Sequence, residues 1–177
     1  MLVRLKKTGD GAVMSIVRED GSVAVHRSAQ SAFFAGHDLM HVAVESTLGL
    51  RRGFLGLLAR GWSFEAFVDH DDPRYKELPA EALLAERLVD VFTRAYCEPA
   101  WRDEEIRGVW FEDVERELAQ VLSGEAPGGM GTASLSRESI LAVCRVYSGL
   151  IERWARTPQG EHFEVRVGLG SAGGSAG

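Results

Sequence analysis

Residues 2–27 read LVRLKKTGDGAVMSIVREDGSVAVHR. Two turn signals, at residues 8–11 and at Asp20-Gly21, divide this stretch into three short segments in which apolar residues alternate with others. Alternation with a period of two is typical of strands that bury one face, and Asp-Gly between two such runs is a strong hairpin signal. The stretch therefore predicts a three-stranded antiparallel meander.

The rest of the chain changes to helical spacing. Between about residues 37 and 157, apolar residues recur every three or four positions, in stretches separated by glycine and proline. Phe163, Val165 and Val167 then alternate with charged or polar residues and could add a fourth strand. We predict an α+β fold, in which a small antiparallel sheet packs with four or five helices.

Length and composition indicate the domain organisation. The chain has 177 residues, which is the length of one domain of ordinary size. We expect residues 1–167 to form a single α+β domain. Residues 168–177 consist of glycine, serine and alanine with one leucine. Because such a segment cannot bury a core, we expect a flexible tail, either native or added as a linker.

The charge balance and cysteine count exclude several classes of protein. There are 26 acidic and 20 basic residues, so the overall basic character of a nucleic-acid-binding protein is missing. Only Cys97 and Cys144 are present, which excludes a disulfide framework and fits a reducing compartment. No apolar run approaches the length of about 18–20 residues that spans a bilayer, and no secretory signal is visible. We expect a cytoplasmic protein with neither a nucleic-acid nor a membrane partner; its oligomeric state stays open.

Four titratable residues fall within nine positions of the first predicted helix, near residues 37–48. In the segment HDLMHVAVE, the residues His37, Asp38, His41 and Glu45 share an arc of the helix about 100° wide. The other faces of this helix carry mostly apolar side chains. We therefore expect a largely buried helix with one narrow polar stripe that lines an accessible cleft.

The composition of this stripe favours a metal site. Histidine, aspartate and glutamate all bind divalent cations, and histidines four residues apart on a helix can reach one ion. The segment is similar to H-E-x-x-H, in which the acid after the first histidine activates a metal-bound water, with Asp38 in that place. The candidate ligands of zinc or another divalent metal are His37, His41 and Glu45, and the candidate catalytic residues are Asp38 and Glu45.

The sequence does not identify the third ligand of the ion. Glu45 follows His37 by about 12 Å along the helix axis, so one ion cannot easily take both of these residues together with His41. Either His41 and Glu45 bind the ion, or the histidine pair takes a third ligand from elsewhere and Glu45 supports it indirectly. The outside candidates are His70, Glu81 and Glu86.

Two functions fit these residues. The first is a metal-dependent hydrolase acting on a small molecule or a peptide, with His37 and His41 as ligands. In this hydrolase Asp38 is the base or orients a ligand, and Glu45 is a ligand or supports one. The second is a non-catalytic structural or partner-binding module, in which the stripe is a buried polar network. No other Ser-His-Asp or Cys-His arrangement with persuasive spacing is present to decide between them.

Residues 37–62, HDLMHVAVESTLGLRRGFLGLLARGW, carry a resemblance. This run resembles an uncharacterised family of bacterial proteins with the pattern H-D-L-x-H-x-x-V-E, then G-L, then R-x-G-F-x-G. Members of that family often have Leu-Pro before the His-Asp pair, where this chain has Ala35-Gly36. The resemblance implies no activity, but it supports treating the four titratable residues as one unit.

Overall fold

The sheet joins the two ends of the described chain. The computed structural model describes residues 1–9, 11–28, 31–123 and 135–168. Its strands are β1 (Leu2–Lys7), β2 (Ala12–Val17), β3 (Val23–Ser28) and β4 (His162–Arg166). They form one antiparallel sheet in the order β3-β2-β1-β4. The predicted meander and the fourth strand are therefore confirmed.

The alternation of side chains gives the sheet one buried face. Val3 lies opposite Ile16 on β2, and Leu5 lies opposite Met14 on β2 and Phe163 on β4. All five of these side chains are buried. Because successive side chains of a strand point to opposite faces, this apolar set packs together on the side that the helices cover.

Five α-helices are present among the described residues. They are α1 (Ser31–Leu48), α2 (Phe54–Ala59), α3 (Ala80–Cys97), α4 (Arg107–Ser123) and α5 (Arg137–Arg156). Short 3-10 turns occur at Glu65–Phe67, Pro73–Glu77 and Pro99–Arg102. The four-stranded antiparallel sheet with these helices confirms the predicted α+β class.

Helix α1 is the centre of the helical layer. It contacts β2 on one side and α2, α3 and α5 on the others. It begins at Ser31, six residues before the predicted start, and Gly36 lies within it against the hydroxyl of Tyr147 on α5. Leu39, Met40 and Val44 are completely buried. With neighbours on most sides of α1, part of its polar stripe has to face other parts of the protein.

The predicted tail and the search for membrane-spanning helices concern different parts of the chain. Of the predicted tail at 168–177, residues 169–177 lie outside the described residues. Among the helices that the structure describes, none combines the length and the apolar character needed to cross a membrane.

Two glycines allow a matched test of this backbone. Gly49 ends α1 with a φ of +69°, whereas Gly149 lies on the exposed side of α5 with open space around it. We expect Gly49→Ala to lower the free energy of unfolding by about 1–2 kcal/mol, because an L side chain disfavours a left-handed backbone. We expect Gly149→Ala to raise it by about 0.5–1 kcal/mol, because alanine restricts the unfolded chain. Urea unfolding of both variants measures this, and a loss of stability in both would contradict the assignment.

Candidate metal site

Helices α1 and α3 bring three potential ligands together. His37 and His41 lie one turn apart on α1, and Glu86 lies on α3, which packs against α1. Their ligand atoms all lie within 4.8 Å of one another. We call these three residues the His-His-Glu cluster. Of the three outside candidates for a third ligand, Glu86 is the one that joins the histidine pair.

The distances within the cluster match those between the ligands of one ion. The Nε2 atom of His41 lies 3.2 Å from Nε2 of His37 and 3.3 Å from Oε1 of Glu86. Nε2 of His37 lies 3.7 Å from Oε2 of Glu86. Two donors at bond lengths of about 2.1 Å on a tetrahedral ion are separated by about 3.4 Å. The cluster could therefore hold a metal ion.

The cluster is closed on one side and open on the other. The side chain of His41 is 1% exposed, whereas those of His37 and Glu86 are 30% and 47% exposed. An ion bound here would therefore have protein behind it and solvent in front of it. The expected accessible cleft is thus limited to part of the polar stripe, because α2 and α3 cover the rest.

Glu45 holds the opposite side of the His41 ring. Its Oε1 lies 3.0 Å from Nδ1 of His41, and its carboxylate is completely buried. The same carboxylate accepts hydrogen bonds from the backbone N–H groups of Leu55 and Gly56, at the start of α2. A carboxylate on Nδ1 keeps the proton there and leaves Nε2 free to bind a metal. Of the two roles left open for Glu45, direct ligand or indirect support of the histidine pair, this contact with Nδ1 fits the second.

The glycines after α1 make room for this carboxylate. A Cβ atom at Gly53 would overlap the carboxylate of Glu45, and a Cβ atom at Gly56 would overlap the backbone carbonyl of Arg51. The positive φ of Gly49 turns the chain back after α1. The G-L and R-x-G-F-x-G parts of the sequence pattern thus have a packing role around Glu45.

Two ionisable groups of the cluster are strongly coupled. Burial disfavours the charged form of His41, but its hydrogen bonds to Glu45 and Glu86 outweigh burial and raise its pKa to about 9. For Glu86, burial is likewise outweighed by hydrogen bonds to His37 and His41, which hold its pKa well below the usual range. Without a metal, His41 is therefore a cation between two carboxylates. A metal ion would take the place of its Nε2 proton.

Asp38 lies beside the cluster but does not belong to it. Burial raises the pKa of its carboxyl group to about 6, and the nearby charges of His41 and His37 oppose this shift. His26 also acts on Asp38 electrostatically, and its ring stacks on Phe64. At neutral pH, Asp38 is mostly a carboxylate that can still accept a proton. Its predicted catalytic role stays a prediction.

The other candidate ligands have different partners. The ring of His70 stacks on Tyr75, with the two centroids 4.3 Å apart. Glu81 accepts a hydrogen bond from the backbone N–H of Arg52. Cys144 is buried in the core, and burial raises the pKa of its thiol to about 12, which disfavours a nucleophilic thiolate.

Comparisons with protein-family models, with curated proteins and with solved structures found no match. The resemblance of residues 37–62 to a bacterial family therefore stays a prediction.

The stability of the metal-free protein should fall between pH 6.5 and pH 9. Folding raises the pKa of His41 from 6.5 to about 9, so its favourable contribution is complete below pH 6.5 and is lost as the pH rises toward 9. Urea unfolding of EDTA-treated protein across this range measures the effect. His41→Gln, which has no charge to lose, should show a flatter profile. Equal slopes for the two proteins would contradict a charged His41.

Gly53→Ala should disturb the support of the cluster. The added methyl group overlaps the Glu45 carboxylate, and overpacking of this kind costs about 1–3 kcal/mol in the free energy of unfolding. Gly108→Ala on α4 is a matched control, because open space surrounds that residue. Thermal or urea unfolding compares them, and similar stabilities would show that the Glu45 environment tolerates a side chain at residue 53.

Proposed function

We propose that this protein binds one divalent metal ion, with zinc as the first choice, and is a metal-dependent hydrolase. The ligands are Nε2 of His37, Nε2 of His41 and a carboxylate oxygen of Glu86. One observation carries the proposal: the buried Glu45 carboxylate holds Nδ1 of His41, so that Nε2 faces two further donors at 3.2 and 3.3 Å.

The number of ligands favours a catalytic site over a structural one. Structural zinc sites usually have four protein ligands, whereas catalytic sites keep three and leave a position for water or substrate. No fourth histidine, cysteine or acidic residue joins the cluster within the part of the chain that the structure describes. Two histidines and one glutamate form a donor set found in catalytic zinc sites, where the ion activates water and polarises a substrate oxygen.

The residues around the ion have complementary roles. Glu45 acts as a positioning residue, because it contacts His41 and not the face on which substrate would bind. Asp38 is the proposed general base, since it directly follows His37 in the chain and interacts electrostatically with both histidines. Its pKa of about 6 in the metal-free protein suits this role. In hydrolysis, Asp38 accepts a proton from the attacking water and then passes it to the leaving group, as the bond to that group breaks. The substrate is a small molecule or a peptide.

One observation favours a second function without chemistry. Both ring nitrogens of His41 lie within hydrogen-bond distance of carboxylates, so its charge is satisfied without any metal. Fixing the packing of α1 against α2 and α3 would be a sufficient role for such a fully paired buried network. The two functions differ in whether zinc binds at the cluster.

Zinc titration of the EDTA-treated, untagged full chain tests the proposal. We expect one zinc ion per chain, measured by calorimetry or by competition with a chelating dye. Glu86→Gln should weaken binding by about 100-fold or more, because it removes a direct ligand, and Glu45→Gln by about 10–100-fold, which is typical for a partner of a ligand. His41→Ala should abolish stoichiometric binding.

The controls separate ligand loss from unfolding. The side chain of Glu86 is 47% exposed, so its replacement should leave the fold intact, as circular dichroism can verify. His162→Asn on β4 removes a histidine that lies outside the cluster and should not change zinc affinity. Absence of zinc binding to the wild type would support the non-catalytic network instead. Unchanged zinc binding by Glu86→Gln would overturn the assignment of Glu86 as a ligand.

Hydrolysis itself is tested with Asp38→Asn. The zinc-loaded wild type is assayed against a panel of p-nitrophenyl esters and phosphates. We expect Asp38→Asn to keep its zinc and to lose about 10²–10⁴-fold in rate, the usual contribution of a general base. A variant that retains both zinc and the full rate would contradict the assignment of the base.

A further inference from the structure

An apolar pocket adjoins the His-His-Glu cluster. Its volume is about 170 Å³, and Glu86 forms part of its wall. The remaining wall is apolar or aromatic and includes Phe54, Phe67, Tyr75, Ala82 and Leu83. We call this space the Phe54 pocket.

Helical spacing and ring contacts connect the Phe54 pocket to the cluster. Ala82 and Leu83 precede Glu86 by four and three residues, so all three share one face of α3. The ring of Phe54 lies 4.8 Å from the ring of His41, between centroids, and also 4.8 Å from the ring of Phe67. A ligand in this pocket would therefore touch both aromatic rings and the Glu86 carboxylate of the cluster.

The volume defines the size of the occupant. An apolar cavity of about 150 Å³ accommodates one benzene molecule, so about 170 Å³ suits one aromatic ring or a hydrocarbon group of the same size. Phe67 and Tyr75 are only partly buried, which leaves the pocket accessible from solvent. Because the charge within this wall is the Glu86 carboxylate, a neutral group fits better than an anionic one.

We infer that the Phe54 pocket binds the single aromatic ring of a small substrate, whose oxygen-bearing reactive group faces His37, His41 and Glu86. This inference rests on the proposed function, since it takes the metal ion as the partner of that reactive group. It adds a substrate class: small compounds with one ring-sized apolar group next to the bond that is cleaved, rather than long polar chains.

Two hydroxamates probe the pocket in the zinc-loaded full chain. Acetohydroxamate and benzohydroxamate share the same metal-binding group and differ in the ring. Burying an aromatic ring strengthens binding by about tenfold or more. We therefore expect benzohydroxamate to bind the wild type at least about tenfold more tightly than acetohydroxamate does, as calorimetry measures. Zinc stoichiometry is determined first, on the same samples.

Two variants test whether that preference comes from the pocket. Ala82→Leu fills the space, and Leu83→Asn makes the wall polar at a half-exposed position where folding is not at risk. Each should bring the ratio of benzohydroxamate affinity to acetohydroxamate affinity close to one. The acetohydroxamate affinity and the zinc content should stay unchanged. Val109→Asn changes an exposed apolar residue of α4 outside the pocket and should keep the full preference.

The outcomes distinguish the two proposals. If zinc binds but the two hydroxamates bind equally, or if both pocket variants keep the preference, the inference about substrate class is overturned and the metal site stands. If zinc does not bind at all, the proposed function fails and the inference fails with it. A preference that both variants abolish and the control retains supports the inference.

Discussion

The burial of one carboxylate organises this part of the protein. Glu45 has no exposed surface, and a buried carboxylate is costly unless its oxygens accept hydrogen bonds. Its partners come from two places: the imidazole of His41 on α1 and the first N–H groups of α2, at Leu55 and Gly56. One side chain thereby joins two helices and fixes the orientation of the most deeply buried histidine. The geometry of the His-His-Glu cluster on the other side of that ring depends on this anchor.

The sequence predicts the features that depend on neighbouring residues, namely strands, turns and the faces of single helices. The Asp20-Gly21 turn and the alternation around it specify the meander, and the spacing of four between His37, His41 and Glu45 places them on one side of a helix. The local sequence pattern does not determine which helix packs against that side of α1. Glu86 joins the histidines through the contact of α1 with α3, and nothing in the local sequence distinguishes it from the other acidic candidates. Because the sequence does not show which helices pack against α1, it also does not predict that they cover much of the polar stripe.

The glycines of residues 49–56 show how a short pattern can encode a buried polar site. Gly49 supplies a left-handed turn, and Gly53 and Gly56 allow close approach to a carboxylate and to a backbone carbonyl. None of these residues carries a functional group. They matter because the segment has to return over Glu45 within a few residues and present its N–H groups to it. A pattern of glycines beside a buried acid is therefore as much a part of the site as the His-His-Glu cluster is.

The position of β4 has a consequence for synthesis on the ribosome. β1 pairs with β2 on one edge, but its other edge pairs with β4, about 160 residues later in the chain. The edge of β1 in the nascent meander must therefore stay open until β4 has emerged, which exposes it to pairing with other strands. The segment from His37 to Glu86 needs no such wait, because both helices that supply the cluster are made in the first 97 residues. The His-His-Glu cluster can thus assemble early, before β4 completes the sheet.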